Sequence, residues 1–329
     1  MENLRIVYLG TPDFAVEPLR RLVEKQKEDS ACGYEIVGVV TMPDKMINKR
    51  GNQLLMSPVK QYAVEQGLPV LQPESLKDEA FLNELRSLRA DLQIVVAFRM
   101  LPESVWNMPR LGTFNLHASL LPQYRGAAPI NWAIINGDKE TGVTTFFLKH
   151  EIDTGDVIYR DVVAIDENDN AGTLHDKLML QGGETVLRTV EAIVNGEAKA
   201  VAQDTMFATE QELRPAPKIF RDTCRIDWNK DVVAVYDFVR GMSPYPAAWL
   251  EVADAEGKTV AIKVYGVAKE FAEHGFEAGT LLTDSKSYAK VAVKGGYVVL
   301  TDVQLAGKKR MPVADLLRGF SLKDMVICK

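Results

Sequence analysis

The stretch LRIVYLGTPDFA, residues 4–15, decides how the first half of the chain folds. LRIVYLG (4–10) is a short apolar run ending at Gly10, the pattern of a strand buried on both faces. Thr11 and Pro12 then read as a helix N-cap and first helical position, with helical spacing from Phe14 to Lys25. The intervening turn is not G-x-G-x-x-G, and G-x-x-x-x-G-K-[ST] occurs nowhere, which argues against NAD and ATP as ligands. The alternation continues downstream. YEIVGVVTM (34–42), LPVLQ (68–72), ADLQIVVAF (90–98) and GTFNLHAS (112–119) read as strands. SPVKQYAVEQG (57–67), EAFLNELRSL (79–88) and APINWAIING (128–137) read as helices. Two-sided apolar strands alternating with helices predict an α/β fold with a doubly wound, mostly parallel sheet. VTTFFLKH (143–150) and DVIYRDVVAI (156–165) read as an antiparallel pair around the turn EIDTGD, and 174–196 as a long amphipathic helix.

A chain of 329 residues is too long for one core, and the pattern changes after a polar, proline-containing stretch at 205–225. One helix (232–241) precedes a series of short strands, which predicts a β-barrel-like C-terminal domain. The expected boundaries are 1–207 for the α/β domain and 208–329 for the β-rich domain. Residues 208–329 carry 18 Lys and Arg against 16 Asp and Glu, whereas residues 1–207 carry 21 against 29. The C-terminal part is therefore the better candidate to meet a polyanion. Three cysteines (Cys32, Cys224, Cys328) in no metal-like spacing predict neither disulfides nor a metal site. The start MENLRIVYLG lacks signal-peptide character and no run is long enough to span a bilayer, so a cytoplasmic protein is expected.

Ligands of open sheets bind outside the carboxyl ends of the strands. Those ends bring forward FNLHASLLPQYRG (114–126), where Asn115 and His117 are two apart on a strand and share a face. The turn EIDTGD adds Asp153, followed by Thr154 and Gly155. An amide, an imidazole and a carboxylate suit addition and elimination at a carbonyl carbon, with Asn115 and His117 facing the oxyanion and Asp153 supporting a cationic His117. A buried polar pair and ordinary turn chemistry are the competing readings. No serine or cysteine occupies an elbow motif, so the nucleophile belongs to the substrate.

FNLHASLLPQYRGAAPINWAIING resembles the active-site segment of the folate-dependent formyltransferases, which use Asn-x-His, then S-L-L-P and R-G-A-x-P, with a later aspartate in a D-x-G turn. LRIVYLGTPDFA, RIDWNKD, FVRGMSPYPAAW and AGKKRMPVADLLRG are similar to further segments of the tRNA-acting branch of that family, across essentially the whole chain. The resemblance implies 10-formyltetrahydrofolate as donor and the amino group of initiator methionyl-tRNA as acceptor. It implies catalysis by Asn115, His117 and Asp153, with no metal. Folate contacts are implied for Phe98, Arg99, Met100 and Leu101, for Ser119, Leu120, Leu121 and Pro122, and for Arg125 and Gly126. Contacts to tRNA are implied for Lys45, Lys49 and Arg50 in the polar loop 43–53, expected to be irregular, and for Lys308, Lys309 and Arg310. No obligatory protein partner and no membrane are implied. Another enzyme using 10-formyltetrahydrofolate, a formyltransferase or hydrolase, and a non-catalytic RNA-binding relative remain the alternatives.

Overall fold

The computed structural model describes residues 3–47, 53–206 and 213–328. The chain divides into two compact units that interleave along the sequence: residues 1–126, 141–164 and 175–215 form the first, and 127–140, 165–174 and 216–329 the second. The expected boundary at 207/208 lies outside the described residues.

The first unit holds strands β1 (Leu4–Gly10), β2 (Tyr34–Val40), β3 (Lys45–Ile47), β4 (Gln53–Leu55), β5 (Val70–Leu71), β6 (Leu92–Val96), β7 (Thr113–His117), β8 (Glu140–Phe147) and β9 (Val157–Ala164). Its main sheet runs β5-β2-β1-β6-β7-β8-β9. β5, β2, β1, β6 and β7 are parallel, and β8 runs antiparallel to β7. The chain moves outward from β1 to β5 and then returns to the other side of β1 at β6. That reversal puts a topological switch point beside the carboxyl ends of β1 and β6. The central strands are solid with apolar residues: Ile6, Leu9, Val40, Leu92, Ile94, Val96 and Phe114 are fully buried. Each such side chain contributes roughly 1.5–3 kcal/mol.

The turn after β1 differs from its sequence reading. Thr11 does not cap a helix; a short 3-10 turn, Asp13–Ala15, follows Pro12, and the α-helix runs Val16–Glu28. The buried Thr11 hydroxyl has no hydrogen-bond partner. What ties the turn down is Tyr8, whose buried hydroxyl donates to the carbonyl of Ala15 at 2.7 Å. Burial pushes the Tyr8 phenol well above its ordinary pKa. Ser57 and Pro58, by contrast, open the helix Pro58–Glu65 as expected, Ser57 accepting from the Lys60 amide. The loop 43–53 is not wholly irregular. β3 and β4 form an antiparallel ladder pairing Lys45 with Leu55 and Met46 with Leu54. Asp44 at its base binds Lys60 Nζ at 2.5 Å and accepts from Gln72 at 2.9 Å.

In the second unit, β10 (Ala248–Ala253), β11 (Thr259–Phe271), β12 (Leu281–Thr283), β13 (Ala289–Val293), β14 (Gly296–Leu305), β15 (Met311–Pro312) and β16 (Val326–Ile327) build an antiparallel, barrel-like sheet in the order β12-β13-β14-β11-β10-β16, with β15 on β14. The helix Val232–Met242, capped by Asp231, packs into its core through Val235, Val239 and Met242. The helix Pro129–Ile135 joins this unit because Gly241 lets it approach: a Cβ at Gly241 would lie 2.6 Å from Ile135 Cγ1. Asn131 donates to the Gly241 carbonyl at 2.7 Å. Residues 165–174 are held by Arg240, which is buried, pairs with Asp237 at 2.7 Å and donates to the Asp169 carbonyl at 2.9 Å.

Candidate active site

β7 carries both Asn115 and His117 to the carboxyl end of the sheet. Backbone pairing to Val95 on β6 and Phe146 on β8 fixes Asn115, and Thr144 on β8 fixes His117. The Asn115 side chain is half-buried, and no described residue bonds its amide. His117 is 6% exposed. Its Nε2 lies 2.8 Å from the carbonyl oxygen of Tyr124. A carbonyl only accepts, so Nε2 must carry a proton, and the tautomer follows from that contact. Nδ1 then faces Asp153 Oδ2 at 3.9 Å. That separation is too long for a direct hydrogen bond.

Asp153 sits in the left-handed region, φ 57°. Aspartate is among the few residues that visit this region readily. Its Oδ2 accepts from the Gly126 amide at 3.0 Å. The turn around it is tight because Gly155 has no side chain; a Cβ there would lie 1.6 Å from the carbonyl oxygen of Phe147. Phe147 N–H donates to the Asp156 carbonyl at 2.9 Å and closes the turn. Leu121, Phe146 and Val157 form a small apolar cluster that shields this part of the unit. Beside the turn is a cavity of about 550 Å³ lined by Trp106, Arg125, Leu148, His150, Thr154 and Gln203, among others. Its volume is that of a small-molecule site.

The formyl transferase family matches residues 4–190, and the formyl transferase C-terminal domain matches residues 218–321. The chain belongs to the formyl transferases. It is similar to a methionyl-tRNA formyltransferase of Parabacteroides distasonis, 63% identical over 97% of this chain and 96% of that one. It is also similar to a methionyl-tRNA formyltransferase of Flavobacterium johnsoniae, 48% identical over 98% of each. Among solved structures, HypX from Aquifex aeolicus in complex with tetrahydrofolic acid superposes with a TM-score of 0.61 at 20% identity, over 96% of this chain and 47% of that one. WlaRD, a sugar 3N-formyl transferase, superposes with a TM-score of 0.62 at 18% identity, over 94% of this chain and all of that one. These two likenesses show the fold.

Other residues singled out in the sequence of this formyl transferase fall into distinct groups. Ser119, Leu121 and Pro122 are buried, and Leu120 is partly buried. Ser119 donates to the Gln123 carbonyl at 2.6 Å, and the Leu121 amide donates to Thr144 at 3.1 Å. These groups are engaged in shaping the loop that carries Tyr124. Phe98 and Leu101 pack against the core cluster containing Val7 and Val95, while Met100 is 75% exposed. Arg99 turns its guanidinium to the carbonyls of Pro73 and Glu74. Lys45 is exposed on β3; Lys49 and Arg50 lie outside the described residues. Lys308 and Lys309 are exposed, whereas Arg310 pairs with Asp302 at 2.5 Å and stacks 4.5 Å from the Tyr265 ring centroid. Among the described residues no group of His, Cys, Asp or Glu could hold a metal ion, and no helix is long and apolar enough to cross a membrane.

The sequence reading missed Gln203. It is 2% exposed and bridges Arg125 to the Asp153 turn. AQDTM (202–206) carries no motif, and only the three-dimensional contacts distinguish this glutamine from a surface one.

Proposed function

We propose that the protein transfers the formyl group of 10-formyltetrahydrofolate to the amino group of initiator methionyl-tRNA, in the cytoplasm. The observation that carries the chemistry is the His117 ring, held through Nε2 by the Tyr124 carbonyl with its other nitrogen 3.9 Å from the Asp153 carboxylate. The amine attacks the formyl carbon, a new C–N bond forms, and the carbonyl oxygen takes the electron pair. Asn115 donates to that oxygen, a donor of this kind contributing roughly 3–4 kcal/mol, and His117, once it holds the proton, places positive charge near it. The proton leaving the amine passes to the His117–Asp153 pair and is returned to the folate nitrogen as its bond to the formyl carbon breaks. Both carbons and protons balance without a covalent enzyme intermediate. The cavity beside Arg125 and Thr154 is the folate site in this reading, with the backbone at Phe98–Leu101 and at Gly126 contributing.

The division of labour is catalysis by residues 1–207 and tRNA binding by the β-rich 208–329. Lys308 and Lys309, exposed and close in sequence, contact phosphates, and Lys45, with Lys49 and Arg50, approaches the acceptor end. The identity to methionyl-tRNA formyltransferases over nearly the whole chain supports the choice of acceptor. The test is incubation of the purified protein with 10-formyltetrahydrofolate labelled in the formyl group and either initiator or elongator methionyl-tRNA. Labelled formyl-methionine with the initiator tRNA is expected. Release of labelled formate without formyl-methionine would make the protein a hydrolase and end the reading.

A further inference from the structure

Gln203 opens a 3-10 turn, Gln203–Met206, fifty residues beyond Asp153. Its amide is used completely. Nε2 donates to the carbonyls of Asp153 at 2.9 Å and Gly155 at 2.8 Å. Oε1 accepts from Arg125 Nε at 3.1 Å and Nη2 at 2.8 Å. The residue after Arg125 is Gly126, whose amide binds the Asp153 carboxylate at 3.0 Å. A closed ring of hydrogen bonds therefore runs from the turn carbonyls through Gln203 and Arg125 to Gly126 and back to the Asp153 side chain.

The geometry points to Gln203 as the positioning residue that fixes the Asp153 carboxylate. The inference rests on the formyl-transfer reading of the site. A left-handed Asp153 and a turn closed over Gly155 leave two carbonyls, one buried and one part-buried, that each need a donor. Asparagine is too short to reach both sides; glutamate offers no donor in its ionised form; lysine and arginine offer no acceptor. A carboxylate would also neutralise Arg125, which has no ion pair among the described residues. A neutral amide leaves the guanidinium charge free on the wall of the cavity. Position 203 thus sets both the place of the carboxylate and the charge next to it.

The experiment compares wild type with Gln203→Glu and Gln203→Leu. Gln203→Glu keeps oxygens for Arg125 and so should fold, but it removes both donors to the turn. Its kcat for formyl transfer should fall roughly ten- to a hundredfold, as expected for a misplaced group, with KM for methionyl-tRNA within about threefold. The deficit should shrink as the pH is lowered relative to the wild-type profile, because a protonated carboxyl regains one donor. Gln203→Leu should show the same loss without that recovery. Hydrogen exchange of residues 150–156 should quicken in both variants. A kcat within twofold of wild type at every pH, or a loss that tracks a lowered melting temperature with no pH-dependent recovery in Gln203→Glu, would overturn the inference. Should wild type itself transfer no formyl group, the functional reading fails separately, and unchanged exchange in 150–156 would overturn the clamp by itself.

Discussion

Replacing Gly155 with alanine tests whether the Asp153 turn works by geometry, without touching a group assigned to the chemistry. The added Cβ would stand 1.6 Å from the Phe147 carbonyl oxygen and 2.8 Å from its carbonyl carbon, where real Cβ contacts do not fall below 3.0 Å. Backbone oxygen in β8 cannot rotate away as a side chain could, so the turn must move by about 1.4 Å or β8 must give. Asp153 lies two residues from the change and would be carried off its Gly126 contact. A displacement of that size in a reacting group lowers turnover by about a hundredfold, and overpacking destabilises by about 1–3 kcal/mol. The assay is single-turnover formyl transfer at saturating tRNA, run beside a thermal melt. A folded Gly155→Ala protein with turnover within a few-fold of wild type would refute the claim that the turn's exact position matters.

His117→Ala should lower kcat by at least roughly a hundredfold, since a group that takes the proton and holds charge beside the oxyanion acts in the transition state; tRNA affinity, read by filter binding, should hold. Replacing Lys308 and Lys309 together by alanine should reduce the slope of log affinity for tRNA against log salt by about 1.5–2, whereas Arg310→Ala should change it less, because Asp302 already holds that charge; equal slopes in all three proteins would remove the cluster from the interface. Lys60, and after it Gln72, hold the Asp44 carboxyl below its ordinary pKa. A depressed carboxylate stabilises above its unfolded value of about 3.9 and loses that contribution as pH falls through the lower folded value. Hydrogen exchange in the β3–β4 ladder should therefore quicken in that acid window, and Asp44→Asn should show the quickened exchange already at neutral pH; protection independent of pH and of the substitution would contradict this.

The order of strands and helices is legible in the sequence because the buried strands have no polar face to confuse with a helix. YEIVGVV and LQIVV are largely apolar on both sides, and the two helices that lie between them in the chain carry their own start signals at Ser57 and Asp78. Asn115 and His117 are legible because a two-residue spacing on a strand is a statement about direction as well as sequence. Thr11 misleads for a physical reason. A hydroxyl before a proline has the composition of a cap, but the packing of Gly10 against Ala15 and the Tyr8 hydroxyl closes the turn first, leaving the threonine oxygen buried and idle. Gln203 is illegible because its partners are carbonyls, which every residue possesses, and Arg125, seventy-eight positions away. The sequence also does not show how Arg99 is held: its two terminal guanidinium nitrogens donate to the chain's own carbonyls at Glu74 and Pro73.

The interleaving of the two units has a consequence for the order in which the chain can acquire structure. Residues 127–140 and 165–174 emerge from the ribosome long before Asn131 can meet Gly241 or Asp169 can meet Arg240. Long-range closure of this kind is slow, and apolar surface waiting for a distant partner is exposed to wrong ones. A nascent chain of about two hundred residues thus has most of its parallel sheet and yet carries two segments with nowhere to dock. Folding of the first unit does not finish the job that its own sequence begins. The residues from Val232 onward, the helix Val232–Met242 and the barrel strands after it, act on the earlier chain as an internal template.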